Sequence, residues 1–418
     1  MLQKFKENGY EVVDINDDIS DVCVVNTCTV TNMSDRKSRH ILRRVKVLNP
    51  NAIIVATGCY AQVYKKELEE MPEIDIVLGN EEKNDIVHFV ERYQNEKKKI
   101  VQIQDINQEK EFEEMGKITY TEKTRAVIKV QDGCNQFCSY CIIPYARGRV
   151  RSRKIENVVK EIERIAQKGI KEVVITGIHL ASYGKDFKDG TSLIDLLEEI
   201  NKVDGIYRIR LGSLEPKIIN DNFMRRLIKL EKICHHFHLS LQSGSNKTLK
   251  RMNRKYTTEE FKNIVEILRK YYNDVILTTD IIVGFPGENE EEFEETYNFL
   301  KEIKFYKMHV FPYSPRKGTL AERMPEQVDG NIKEKRSKKL IKMSEQNQLE
   351  YNKKLIGKEV DVLFEEPEEK NNVLFYKGHT QNYILVKHES KENLENQIKR
   401  VKIQTAEVEN VKTWILQM

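Results

Sequence analysis

The chain has 418 residues, 39% hydrophobic and 33% charged, with a formal net charge of +4 at pH 7. That length allows about two to four domains, and no run is apolar enough to cross a bilayer. The first ten residues, MLQKFKENGY, lack the apolar segment of a signal peptide, so the expectation is a cytoplasmic protein without a membrane partner.

Seven cysteines in a reducing compartment suit metal binding or catalysis better than disulfides. The small net charge hides local blocks of both signs. An acidic partner such as nucleic acid must therefore be argued from patches.

Residues 1–94 read as a small doubly wound α/β domain. Short β-branched runs at 21–26 (DVCVVN) and 52–56 (AIIVA) flank a segment with Ile41, Leu42, Val45 and Leu48 at helical spacing, which ends at Asn49-Pro50. Cys28 follows the first strand and Cys59 the second. Ligands of open α/β sheets gather beyond the carboxyl ends of the strands, so both thiols are candidate ligands, against the alternative of buried inert thiols. Residues 95–125 are charged, lack an apolar stripe and read as a domain connection.

From 126 to 349 strands and helices alternate. Strands are expected at 126–130, 172–176, 207–212, 238–242, 275–283 and 306–312. Between them lie a helix carrying Val158, Ile162 and Ile165 that stops at Gly169, one with Leu193, Leu196, Leu197 and Ile200 on one face, and one opened by a Thr257/Glu260 capping box. Asn289 and Glu292 cap another helix that runs towards Leu300. Six such units in series imply parallel strands closing into a full or partial barrel, whose active-site loops leave the carboxyl ends of the strands.

The loop after the first of these strands is the most informative stretch. Residues 131–153 read QDGCNQFCSYCIIPYARGRVRSR, with Cys134, Cys138 and Cys141 four and three residues apart and no histidine nearby. Three soft thiolates can hold three corners of a cubane iron–sulfur cluster and leave one iron open. The competing zinc reading asks for a fourth ligand. Arg147, Arg149, Arg151 and Arg153 alternate, so an extended backbone would turn all four guanidinium groups to one face, where RNA phosphates would fit.

Later loops carry Gly177 and His179, then Ser213 and Glu215, then Gln242, then Gly284. The glycines permit close approach of a ligand, and Glu215 offers a carboxylate to ribose hydroxyls or an amine. After about residue 355, short β-type runs at 359–364, 372–376, 383–386 and 400–403 suggest a small barrel over 355–418.

Cys134-x3-Cys138-x2-Cys141 with Tyr140 resembles the radical S-adenosylmethionine signature. The wider string CSYCIIPYARGRVRSR resembles the methylthiotransferase branch of that superfamily, as do VVNTCTVT, ATGCYAQ, TGIHLASYG, RLGSLEP, LSLQSGSNKTLKRMNRKYT, IIVGFPGE and VFPYSPRKGT. The resemblance implies a partial (β/α)6 barrel, a [4Fe-4S] cluster on Cys134, Cys138 and Cys141, and an S-adenosylmethionine pocket lined by Tyr140, Gly177, Ser213, Glu215, Gln242 and Gly284.

It also implies a second, auxiliary [4Fe-4S] cluster with Cys28 and Cys59 among its ligands. The family's first motif, a Gly-Cys-Lys turn, has no counterpart in this sequence, so the auxiliary set is expected to be incomplete, through either a start placed too far downstream or a truncated gene. Cys23, the other cysteine nearby, lies mid-strand. The carboxyl-terminal barrel resembles the RNA-binding TRAM module.

The implied reaction is transfer of a methylthio group to carbon 2 of N6-threonylcarbamoyladenosine at position 37 of tRNA, fed by a one-electron reductant such as flavodoxin or ferredoxin. Two alternatives stand beside it: the same chemistry on N6-isopentenyladenosine, and an RNA-binding iron–sulfur protein without full activity.

Overall fold

The computed structural model describes residues 1–14, 19–114, 124–370 and 373–415. It divides into two compact units. The first contains Met1–Tyr120, Asp132–Arg151 and Ser314–Arg323, and the second Thr121–Gln131, Ser152–Tyr313 and Met324–Met418.

In the first unit four parallel strands form one sheet in the order β1 (Val22–Thr27), β2 (Ile53–Gly58), β3 (Ile76–Leu78) and β4 (Ile100–Gln102). Strand residues alternate between the two faces, and both faces are covered. Cys23, Val25, Ile54 and Ala56 pack on Leu42 and Val45 of the helix Asn32–Leu48. Ile53, Val55, Ile76 and Leu78 pack on Phe5 and on Ile86, Val87 and Val90 of the helix Ile86–Glu96.

The segment expected as a connection at 95–125 contributes β4, with Ile100 buried. Two β-branched residues behind Lys97, Lys98 and Lys99 are too short a run to register as a period. Residues 115–123 of that segment lie outside the described residues.

The second unit holds the six expected parallel strands: β5 (Arg125–Asp132), β7 (Glu172–Gly177), β8 (Arg208–Leu211), β9 (His236–Gln242), β10 (Ile276–Val283) and β11 (Lys307–Pro312), with the short β6 (Arg151–Ser152) beside β5. Pairing runs β6-β5-β7-β8 and β9-β10-β11. The isolated parallel bridges Ile209↔Ile233 and Leu214↔Leu239 link the two sheets, and among the described residues β11 does not pair with β6 or β5, so the barrel is partial.

Its core joins strand residues such as Ile128, Val173, Ile209 and Leu239 to the helix stripes Val158/Ile162/Ile165 and Leu193/Leu196/Leu197/Ile200. The capping boxes are formed: Thr257 with Glu260, and Ser192 with Asp195 one helix earlier. Asn289 accepts from the Glu292 amide and opens the helix Glu290–Ile303.

A long helix, Gly330–Lys353, leads to a closed five-stranded barrel of β12 (Glu359–Lys370), β13 (Val373–Thr380), β14 (Leu385–Glu389), β15 (Ile398–Ala406) and β16 (Val411–Ile415), in the order β12-β13-β14-β16-β15. Closure leaves no unpaired edge. Of the run expected at 372–376, Asn372 lies outside the described residues.

Candidate functional site

Parallel register sets the geometry of the two amino-terminal cysteines. Thr27 and Gly58 are partners at the last rung of β1 and β2, so Cys28 and Cys59 leave neighbouring strand ends together. Gly58 has φ +107°, and a Cβ there would stand 2.3 Å from the Thr27 carbonyl oxygen. Only glycine allows the chain to turn so tightly into the helix Cys59–Val63. Cys28 is exposed and Cys59 half-buried, whereas Cys23 is buried in the sheet core, where burial pushes its thiol up.

The loop with Cys134, Cys138 and Cys141 belongs to the same compact unit. It opens at Gly133, where φ is +71° and a Cβ would come within 1.7 Å of the Arg149 carbonyl oxygen. The Cys134 amide donates to the Gly148 carbonyl and the Cys141 amide to the Cys138 carbonyl, each at 3.0 Å. The loop therefore folds back on its own end. Phe137, at φ +48°, sits in the left-handed region between the first two cysteines. Tyr140 is half-buried, Cys134 buried, and Cys138 and Cys141 half-buried.

Among the described residues no three His, Cys, Asp or Glu side chains are grouped to hold a single metal ion. A cubane spreads its thiolates over separate irons, so the three sulfur donors of this histidine-free loop fit a cluster better than one zinc.

The arginines do not form the stripe expected of an extended chain. Helix Ile143–Arg147 and Gly148, at φ +68°, break the alternation. Arg147 donates to the Cys59 sulfur at 3.2 Å and pairs with Asp132 at 3.5 Å. Arg151, 1% exposed, pairs with Glu81 and Asp132. In the second unit Arg153 is buried against Glu161. Arg149 alone of the four is exposed, its guanidinium 4.9 Å from the centre of the Phe137 ring.

The remaining candidates follow carboxyl ends of barrel strands. A Cβ on Gly177 would stand 2.8 Å from Gln131 Oε1, and that oxygen accepts from the His179 amide at 2.7 Å. Ser213 shares a hydrogen bond with Ser240. Gln242 ends β9 with φ +71°, beside a register shift against β10. A non-glycine residue held there marks a backbone over-determined by its surroundings. Gly284, at φ +68°, donates its amide to Glu288 Oε1, which also receives Arg336 at 2.8 Å.

Glu215 is the most closely held of these groups. Arg254 donates to its Oε2 at 2.5 Å, and His179 Nε2 lies 3.7 Å from the same oxygen. Burial by itself would push its carboxyl up, but His179 and Arg254 outweigh burial and hold it below the usual carboxylate range. Arg254 carried no signal in the sequence, because an arginine after a short helix looks like a solvated one.

A carboxylate depressed in the fold stabilises above its ordinary value, and that contribution is lost as pH falls through the depressed one. Wild type is therefore expected to be more stable than Glu215→Gln at neutral pH, with the gap closing below about pH 4. Urea denaturation at several pH values checks this; a gap independent of pH would remove the ion pair from the account.

Residues 128–300 match the radical SAM superfamily, and residues 1–79 match the uncharacterized protein family UPF0004. The chain is 44% identical over 406 residues to the threonylcarbamoyladenosine tRNA methylthiotransferase MtaB of Bacillus subtilis, covering 96% of this chain and 89% of that protein. To the MtaB of Aquifex aeolicus it is 43% identical over 389 residues, covering 93% and 92%. A tRNA-2-methylthio-N(6)-dimethylallyladenosine synthase of Clostridium novyi is 38% identical over 384 residues, covering 90% and 84%.

Among solved structures, the radical S-adenosylmethionine methyltransferase TsrM of Kitasatospora setae superposes with a TM-score of 0.54 at 17% identity, over 72% of this chain and 67% of that one, a likeness of fold alone. The near full-length identity to the MtaB proteins, together with the radical SAM match over residues 128–300, settles the family: this chain belongs to the radical S-adenosylmethionine tRNA methylthiotransferases, in their threonylcarbamoyladenosine branch.

Proposed function

We propose that the protein adds a methylthio group to carbon 2 of N6-threonylcarbamoyladenosine at position 37 of tRNA. The single observation that carries this is the identity of 44% across 96% of the chain to an enzyme of that name. Cys134, Cys138 and Cys141 would hold the [4Fe-4S] cluster. When bound and reduced, such a cluster supplies the electron that cleaves S-adenosylmethionine to methionine and a 5′-deoxyadenosyl radical able to take hydrogen from an aromatic carbon.

The chain's own groups bind and orient. Glu215, fixed by Arg254 and His179, is assigned to a ribose hydroxyl or the amine of S-adenosylmethionine. Gly177, Ser213, Gln242 and Gly284, each at the carboxyl end of a barrel strand, are assigned to S-adenosylmethionine, and Tyr140 is assigned to it through the cysteine motif. Cys28 and Cys59, side by side at two strand ends, are assigned to the auxiliary cluster that provides sulfur. Residues 355–418 are assigned as a TRAM-like RNA-binding barrel, and a flavodoxin- or ferredoxin-type protein as the electron donor. Among the described residues no helix is long and apolar enough to cross a membrane; the reaction is assigned to the cytoplasm.

Mass spectrometry of nucleosides from tRNA of a host lacking this modification, with and without the gene, tests the reading. Appearance of the 2-methylthio derivative of threonylcarbamoyladenosine is expected; methylthiolation of the isopentenyl nucleoside alone would overturn the substrate.

Arg149 is assigned to a tRNA phosphate, because of the four arginines it alone is exposed. Arg149→Ala is expected to weaken tRNA binding and to lower the slope of log affinity against log salt by about one. An unchanged slope in filter binding would take Arg149 out of the interface.

A further inference from the structure

A cavity of about 430 Å³ opens in the second unit at the amino ends of β9, β10 and β11. These strands are parallel, and Gln242 and Gly284 leave their other ends, so the cavity is separate from the site described above. His238, Thr278 and Lys307 are register partners across the three strands, and His236 and His309 flank that row on the same sheet face. His379 and Tyr383, near the turn between β13 and β14, form the far wall.

The groups lining the cavity are fixed in place. Thr278 Oγ1 meets His236 Nε2 at 3.0 Å and His238 Nδ1 at 2.9 Å, and His238 Nε2 faces Asp280 at 3.2 Å. Tyr383 holds φ +72°, its ring stacked on His379 at 4.5 Å and 18° while the Arg210 guanidinium lies 4.0 Å from its centre. A tyrosine in the left-handed region persists only where its surroundings demand it. His236 lines the cavity at 6% exposure, with Nε2 on Thr278 and its ring 4.9 Å from that of Tyr383.

The lining selects the ligand's chemistry. Burial, the largest cause in both cases, holds His236 and His379 below the usual imidazole range, so these walls are neutral near pH 7. Arg210 beside them is engaged by Glu172 and Tyr383, and Asp280, Glu365 and Glu409 oppose any polyanion. Lys307 is the one cation of the lining. The absence, among the described residues, of three side chains grouped for one ion argues against a metal. A planar, nearly neutral ring bearing donors and acceptors, with a single phosphate, matches these walls and the volume.

We propose that this cavity takes a nucleobase, stacked against His238 and His309, with its phosphate at Lys307. The base comes either from single-stranded RNA or from a free nucleotide. Only in the first case does the inference rest on the tRNA reading above.

The test uses the full chain with two probes, 2-aminopurine riboside monophosphate and a short single-stranded RNA carrying one 2-aminopurine. Quenching of either probe is expected, weakened about tenfold in His309→Ala and in Lys307→Ala and restored in His309→Phe, which keeps the stacking face. Quenching by the mononucleotide assigns the site to free nucleotides, and quenching of the oligomer alone assigns it to RNA. His309 is exposed and Lys307 half-exposed, so folding of the variants is not at stake, and circular dichroism checks it. No quenching of either probe, or quenching equal in wild type and both alanine variants, overturns the proposal. Methylthiolation of tRNA is scored separately, so the two readings fail independently.

Discussion

Cys138→Ala is expected to lower the iron content of the anaerobically reconstituted protein by about four atoms per chain and to reduce 5′-deoxyadenosine formation from S-adenosylmethionine to background. The loop offers three sulfur donors and no histidine to replace one, and its path is pinned by the Gly133 turn and the Cys134–Gly148 and Cys141–Cys138 backbone hydrogen bonds. With two thiolates left, the loop would no longer hold the cluster that Cys134, Cys138 and Cys141 are proposed to bind. Cys59→Ala is the contrasting variant. It is expected to retain cleavage and to lose methylthio transfer, because Cys59 lies at the end of β2 and is assigned to sulfur supply. Retention of cleavage in Cys138→Ala would sink the assignment of the radical cluster.

The largest effect on stability is expected from Glu172→Ala. Glu172 is fully buried at the start of β7 and accepts from Arg210 Nε at 2.9 Å, with Arg125 at 3.9 Å and Arg208 at 4.0 Å. Arg210 has two further guanidinium nitrogens without hydrogen-bond partners, and its remaining compensation is the Tyr383 ring. Removing one partner of a buried pair leaves an uncompensated charge and costs about 3–5 kcal/mol.

The same cluster carries part of the attachment of the carboxyl-terminal barrel. Arg208 donates to the carbonyls of His379 and Asp361, and Arg125 pairs with Glu365 at 2.8 Å. Urea denaturation followed by circular dichroism should therefore show an earlier transition, and limited proteolysis should release the 355–418 region sooner. A shift of under about 1 kcal/mol would mean that the arginines find other compensation.

Sequence alone carried the order of the barrel elements and the spacing of the three cysteines in one loop. Parallel strands joined by amphipathic helices leave a repeated period, and Cys134, Cys138 and Cys141 lie within one short loop, so their spacing is local information. The Thr257/Glu260 cap was legible for the same reason. β4 was not legible, because three residues carry no period and Lys97, Lys98 and Lys99 mask them.

The arginine stripe misled because alternation predicts one face only on an extended backbone, and Gly148 and the helix Ile143–Arg147 bend this one. Which arginine stays exposed was decided by partners distant in sequence: Cys59 and Asp132 for Arg147, Glu81 and Asp132 for Arg151, Glu161 for Arg153. Arg254 on Glu215 and the histidine-lined cavity were likewise invisible in the sequence. Local spacing encodes ligand sets and strand–helix order, whereas the pairing of buried charges depends on which strand ends the fold brings together.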